Sequence, residues 1–194
     1  MDDRVKVLLV DDNDDFATLF KLMIERDRRL EYLGHASDKE NGVEMSVRLS
    51  PDIVVMDLNL CGDALDGIEA AREIRVLTGI RIVLLTAYEE QETIINASRK
   101  AFASGYVFKS RFQTIADIIY DSATSNTPEK EMIRELALSR LSSAERGVFE
   151  DILKGTGVES LYQSPSTISN QKTNIFKKLG LKNTKELLRV FNNW

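Results

Sequence analysis

The chain has 194 residues, 43% of them hydrophobic and 29% charged, with a net charge of −5 at pH 7, enough for one full α/β core and a smaller second domain. A lone cysteine, Cys61, excludes an internal disulfide framework, and a lone histidine, His35, leaves no imidazole pair for zinc. No apolar stretch approaches the roughly 20 residues of a membrane-spanning helix, and the start Met1-Asp2-Asp3 is acidic rather than signal-like, so a soluble, cytoplasmic chain with no membrane contact is expected.

Along the chain, Val7-Leu8-Leu9-Val10 is a short apolar run that stops at Asp11 and Asp12. Phe16, Leu19, Phe20, Met23 and Ile24 follow at helical spacing, and His35 falls at the end of a second strand as a structural residue. Ile53-Val54-Val55-Met56 then runs into Asp57, Ile82-Val83-Leu84-Leu85 into Thr86, and Tyr106-Val107-Phe108 into Lys109. Ile115, Ile118 and Ile119 mark one more helix. Apolar runs without alternation suit strands buried on both faces, and helical patterns separate them, so the sheet should be parallel. Open parallel sheets bind ligands beyond the carboxyl ends of their strands, where Asp11, Asp12, Asp57, Thr86 and Lys109 all fall. Taken singly, Asp11, Asp12, Asp14 and Asp15 read as a solvated, helix-capping cluster, and Asp57, Thr86 and Lys109 as ordinary turn residues. At one sheet edge they read as a site.

Two carboxylates about 4 Å apart repel by roughly 4 kcal/mol at an effective dielectric near 20, so three of them call for a cation. Oxygen-only ligands suit Mg²⁺, which would offset the charge of a phosphoryl donor and leave one aspartate to attack phosphorus.

On these residues, in this order and spacing, residues 5 to 121 resemble the receiver domain of two-component response regulators, a doubly wound (βα)5 five-stranded parallel sheet. The resemblance implies that Asp57 is the phospho-acceptor, that Asp12 binds Mg²⁺ directly and Asp11 through water, and that Asn59 contributes its backbone carbonyl. It also implies that Thr86 and Lys109 hold the phosphoryl group and that Tyr106 swings inward when Thr86 moves. The loop Leu60-Cys61-Gly62-Asp63-Ala64-Leu65-Asp66-Gly67 departs from the family, with cysteine for proline and about two extra residues. The stretch 98–105 is about one residue longer than usual, and Ser110 stands where many receivers have proline.

Ser122 to Pro128 breaks every periodicity and reads as a linker, which divides the chain into a receiver (1–121), a linker (122–128) and a tail domain (129–194). Charge changes sign here. Residues 1–122 hold 23 acidic and 15 basic side chains, net −8; residues 123–194 hold 8 and 11, net +3, as expected of a small all-α domain that binds a polyanion. Ser142-Ser143-Ala144-Glu145 offers a capping box, with Gly155 ending that helix, and Ser164, Pro165 and Gly180 delimit another. The second helix carries Ile168, Ile175, Phe176 and Leu179 on one face and Ser166, Thr167, Ser169, Asn170, Thr173, Asn174 and Lys177 on the other. Such a polar face can enter a major groove.

Leu141-Ser142, Glu145-Arg146 and the run from Ser166 to Gly180 resemble the LuxR-type helix-turn-helix domain of NarL/FixJ-type regulators. The resemblance places Ser169, Asn170 and Thr173 near bases, Thr167 and Lys177 near phosphates, and Leu187, Leu188 and Phe191 in a helix that pairs two chains. Between Gly155 and Thr167 the chain is about one helical turn shorter than the family, a loss expected in the scaffold helix around residues 158–162. Ser169 and Gln171 replace a common lysine and histidine. The implied function is transcription regulation rather than enzymatic catalysis: a sensor histidine kinase phosphorylates Asp57, and the tail binds double-stranded DNA as a homodimer. A tail that binds a protein partner instead, or a phosphate sink, remain the other readings.

Overall fold

The structure, a computed structural model, describes residues 4–60, 64–87, 90–155, 164–192 and 194, and of residues 64 and 65 the backbone only. Cys61 and the expected short scaffold helix at 158–162 lie outside the described residues. Five parallel strands, β1 (Val5–Val10), β2 (Leu30–Ala36), β3 (Ile53–Asp57), β4 (Arg81–Thr86) and β5 (Gly105–Phe108), form one sheet in the order β2-β1-β3-β4-β5. Between them run α1 (Asp14–Arg26), α2 (Lys39–Leu49), α3 (Ala64–Thr78) and α4 (Gln91–Ala101), and a 3-10 turn, Lys109–Thr114, leads from β5 into α5 (Ile115–Thr124).

Alternate strand residues feed two separate cores, which is why the runs show no polar alternation. Leu8, Val10, Val54, Met56, Ile82 and Leu84 pack with Ala70, Ala71 and Ile74 of α3 and Ala97 and Ala101 of α4. Val7, Leu9, Ile53, Val55, Val83 and Leu85 pack on the opposite face with Phe20 and Ile24 of α1 and Ile115 and Ile119 of α5. Asn13, between the aspartates, is the side chain that caps α1, accepting from Phe16 N at 2.9 Å. A Cβ on Gly67 would stand 2.2 Å from the Asp57 carbonyl oxygen, so only glycine lets α3 run this close to the end of β3.

The tail contains α6 (Pro128–Leu138), α7 (Ser143–Lys154), α8 (Pro165–Leu179) and α9 (Thr184–Asn192). Ser142 and Glu145 form the expected capping box on α7, and Gly155 and Gly180 end α7 and α8 at φ +64° and +65°. Val148, Phe149, Ile152, Ile175, Leu179, Leu187, Val190 and Phe191 make a third core.

The connection differs from the sequence expectation. α5 continues through Thr124 with Ser122 and Ala123 buried, and Pro128 opens α6, so only residues 125–127 lie between the helices. Small polar residues read as linker composition, yet here they allow close packing: a Cβ on Gly105 of β5 would lie 2.8 Å from Ser122 Oγ.

The tail docks on the receiver along two contacts. α6 lies on α4 and β5, where Ile133 joins the receiver core, and α9 lies on α3. Phe102, left-handed at φ +53° after α4, meets Phe191 edge-on at 5.6 Å and Trp194 at 6.5 Å. Trp194 stacks on Phe191 at 5.2 Å and donates its Nε1 hydrogen to the Lys130 carbonyl at 3.0 Å.

Candidate phospho-acceptor site and nucleic-acid interface

The carboxyl ends of β1, β3 and β4 and the residue after β5 converge as the sequence reading expected. Lys109 Nζ bridges two buried carboxylates, 2.9 Å from Asp57 Oδ2 and 2.7 Å from Asp11 Oδ2. Asp11, Asp12 and Asp57 each place a carboxylate oxygen within 4.8 Å of the others, with Asp12 exposed and the other two buried. Backbone N–H groups orient the pair: Asn13 N donates to Asp11 Oδ1 at 3.0 Å and Asn59 N to Asp57 Oδ1 at 3.3 Å. Thr86 is buried at the end of β4.

Burial pushes the Asp11 carboxyl above its ordinary value, only partly countered by the hydrogen bond from Lys109, and the neighbouring Asp57 charge adds to the rise. Burial also works against the Lys109 ammonium, but its bonds to Asp11 and Asp57 prevail and hold its pKa above the usual lysine value. Lys109 thus contacts Asp11 and Asp57, and the three clustered side chains offer oxygen ligands alone. That donor chemistry fits a hard divalent cation.

Tyr106 stands on β5, 37% exposed, with its ring edge-on to Phe108 at 5.9 Å, beside the face that α6 covers. Two contributors had no distinctive sequence signal: Phe16, whose ring lies 4.8 Å under Lys109 Nζ, and Asn13. His35, expected to be structural, reaches the Asp11 carbonyl through Nε2 and so braces the turn that aims Asp11.

In the tail, Thr167, Ser169, Asn170, Thr173 and Lys177 are all exposed on α8, as are Ser166 and Asn174, while Ile175 and Leu179 face the core. The docked receiver leaves this polar face open. The expected pairing stripe is placed differently. Leu187 and Phe191 are buried and Leu188 half-buried within the chain's own tail core, and α9 packs on α3 of the receiver. An amphipathic stripe specifies that it must be covered, not by what, and here the same chain covers it.

A (βα)5 sheet with these carboxylates, hydroxyl and ammonium at its carboxyl edge defines a receiver. The comparisons agree. The response regulator receiver domain family matches residues 7–119. Over 139 residues the chain is 33% identical to the transcriptional regulatory protein LiaR of Bacillus subtilis, covering 71% of this chain and 64% of that protein. It is 28% identical over 200 residues, 93% of each chain, to the nitrate/nitrite response regulator protein homolog of Haemophilus influenzae. The crystal structure of a LuxR-family two-component response regulator from Aurantimonas sp. is 30% identical, with a TM-score of 0.56 over 71% of this chain and 98% of that one. The RcsB response regulator of Salmonella typhimurium, 23% identical, shares the fold with a TM-score of 0.58 over 96% of both chains. The chain therefore belongs to the response regulators of two-component systems, of the NarL/FixJ type. Among the described residues no helix is long and apolar enough to cross a membrane.

Proposed function

We propose that the chain is a phosphorylation-switched, DNA-binding transcription regulator. The observation that carries this reading is the position of Lys109, bridging Asp57 and Asp11 at the sheet edge, where it can neutralise a phosphoryl group attached to Asp57. A carboxylate oxygen of Asp57 attacks the phosphorus of a phosphohistidine on a partner kinase. The O–P bond forms as the P–N bond breaks, and the electron pair leaves with the imidazole. Mg²⁺ held by Asp11, Asp12, Asp57 and the Asn59 carbonyl would neutralise phosphoryl charge when bound. Lys109 then turns from the Asp57 carboxylate to the phosphoryl oxygens, the Thr86 hydroxyl donates to another, and Tyr106 fills the space Thr86 vacates.

For the tail, the open polar face of α8 supports base contacts by Ser169, Asn170 and Thr173 and phosphate contacts by Thr167 and Lys177. Covering of the α9 stripe within the chain favours DNA over a protein partner for the tail. Pairing of two chains through Leu187, Leu188 and Phe191 would require α9 to leave α3, so we place homodimer formation after phosphorylation and undocking.

The test is selection from a random duplex pool by the full chain with and without beryllofluoride and Mg²⁺, alongside Asp57→Ala. A paired half-site motif enriched only by the loaded wild-type chain is expected. Equal enrichment with Asp57→Ala would refute the switch, and no enrichment by a demonstrably loaded receiver would refute DNA recognition.

A further inference from the structure

One receiver side chain holds the end of the recognition helix. Arg72 of α3 donates from Nη2 to the carbonyls of Leu179 at 2.9 Å and Gly180 at 2.7 Å, and from Nη1 to the carbonyl of Lys100 at 2.7 Å. These carbonyls lie at the negative ends of α8 and α4, where a guanidinium is favoured. Its Nη2 lies only 2.8 Å from where a Cβ on Gly180 would project, so a left-handed glycine is what lets the receiver approach α8 this closely. The Phe102 ring, 4.8 Å from the Arg72 guanidinium, supports it from below.

The consequence is a cationic corner shared by the two domains. Lys100 of α4, Arg140 of the α6–α7 turn, and Lys177 and Lys178 of α8 line one cleft of about 410 Å³. Among the described residues its one lining carboxylate, Glu69, is engaged by Lys39 at 3.0 Å, and Glu145, in the adjoining hollow, is engaged by Lys178 at 2.6 Å. Lys100, Arg140 and Lys177 are exposed, and among the described residues none of the three makes an ion pair with a carboxylate. This corner stands on a receiver whose residues 1–122 carry a net charge of −8, so it is not a sample of a generally basic surface. It also continues the polar face of α8, because Lys177 belongs to both, one helical turn beyond Thr173.

We propose that this corner is a receiver-borne extension of the DNA-binding face: before phosphorylation and pairing, Lys100 and Arg140 contact phosphates of the duplex beside α8, so that the docked chain, rather than the tail alone, makes the first, sequence-independent contact with DNA. The inference rests on the reading of the tail as a DNA-binding domain. Its partner is the duplex backbone, recognised by charge and spacing without regard to sequence.

The experiment is a salt titration, from 50 to 200 mM, of full-chain binding to a fluorescent 30-base-pair duplex of random sequence. Each lost phosphate contact lowers the slope of log K against log salt by about 0.9. Lys100→Ala is expected to lower it by that amount and Lys100→Glu by more. Lys100 is exposed at the end of α4, so phosphodonor labelling of Asp57 checks that each Lys100 variant is folded. If the wild-type chain binds and Lys177→Ala weakens it while both Lys100 variants match wild type, the receiver extension is overturned and the DNA-binding reading stands. If the wild-type chain shows no salt-dependent binding either unloaded or loaded with beryllofluoride and Mg²⁺, both fall.

Discussion

The guanidinium of Arg75 donates to the carbonyl of Val190, 115 positions later in the chain, at 2.6 Å. Arg75 is fully buried, bonds the Gly79 carbonyl at 2.7 Å, and lies 5.5 Å from the Trp194 ring. A charge this deep is tolerated only because carbonyls of both domains surround it. Arg75→Met should therefore leave two buried carbonyls unsatisfied and destabilise the chain by about 2–4 kcal/mol. Because the lost bond spans the domains, urea unfolding should split into two steps. A single transition at the wild-type midpoint would show that Arg75 is not a tie.

Lys130 of α6 is only 2% exposed and faces Arg75 and Arg81. Burial first, then these two cations, push its pKa down to about 8. Between that value and the ordinary 10.5 the unfolded chain binds the proton and the folded one does not, so stability rises with pH across this window. The rise should be roughly 1–3 kcal/mol between pH 8 and 10. Thermal unfolding should show it in wild type and lose it in Lys130→Met, which should also be the more stable of the two at pH 7.

The raised Asp11 pKa has the matching consequence at the site. A carboxyl whose folded pKa exceeds its unfolded value costs stability as pH rises through that window, and the cost persists at neutral pH. Asp11→Asn should raise the Tm of the metal-free chain on the order of 2–4 °C at pH 7. Mg²⁺ should stabilise wild type and not the variant. A Tm gain from Mg²⁺ that is unchanged in Asp11→Asn would place the cation elsewhere.

Gly67 is the contact that sets α3 against the acceptor loop. A methyl group there would meet the Asp57 and Leu58 carbonyl oxygens at 2.2 and 2.6 Å, so Gly67→Ala must shift either α3 or the peptide that aims Asp57. A loss of about 1–3 kcal/mol is expected, as is typical of overpacking. Phosphodonor labelling of the folded variant should slow at least tenfold. Wild-type labelling would show that the displacement is absorbed by α3 alone.

Much of this molecule was legible before any coordinates. The unalternated runs of β1, β3 and β4 implied burial on both faces, and their ends placed Asp11, Asp57 and Thr86 at one edge, because in a parallel sheet every strand ends on the same side. Ser142 with Glu145, and Ser164 with Pro165 and Gly180, marked helix ends through bonds to their own near neighbours. Such features depend on residues a few positions apart, so the sequence displays them directly.

What joins the two domains could be decided only by folding in three dimensions. Arg72 and Arg75 sit in an amphipathic helix where a cation ordinarily faces water, and nothing near them in the sequence marks the carbonyls of Leu179, Gly180 and Val190 as their acceptors. Phe102 read as part of a stretch about one residue longer than usual, and Leu187 and Phe191 as a stripe for a second chain; tertiary packing put them against one another. Periodicity encodes that a face must be buried, whereas the surface that buries it depends on shape complementarity between segments a hundred residues apart.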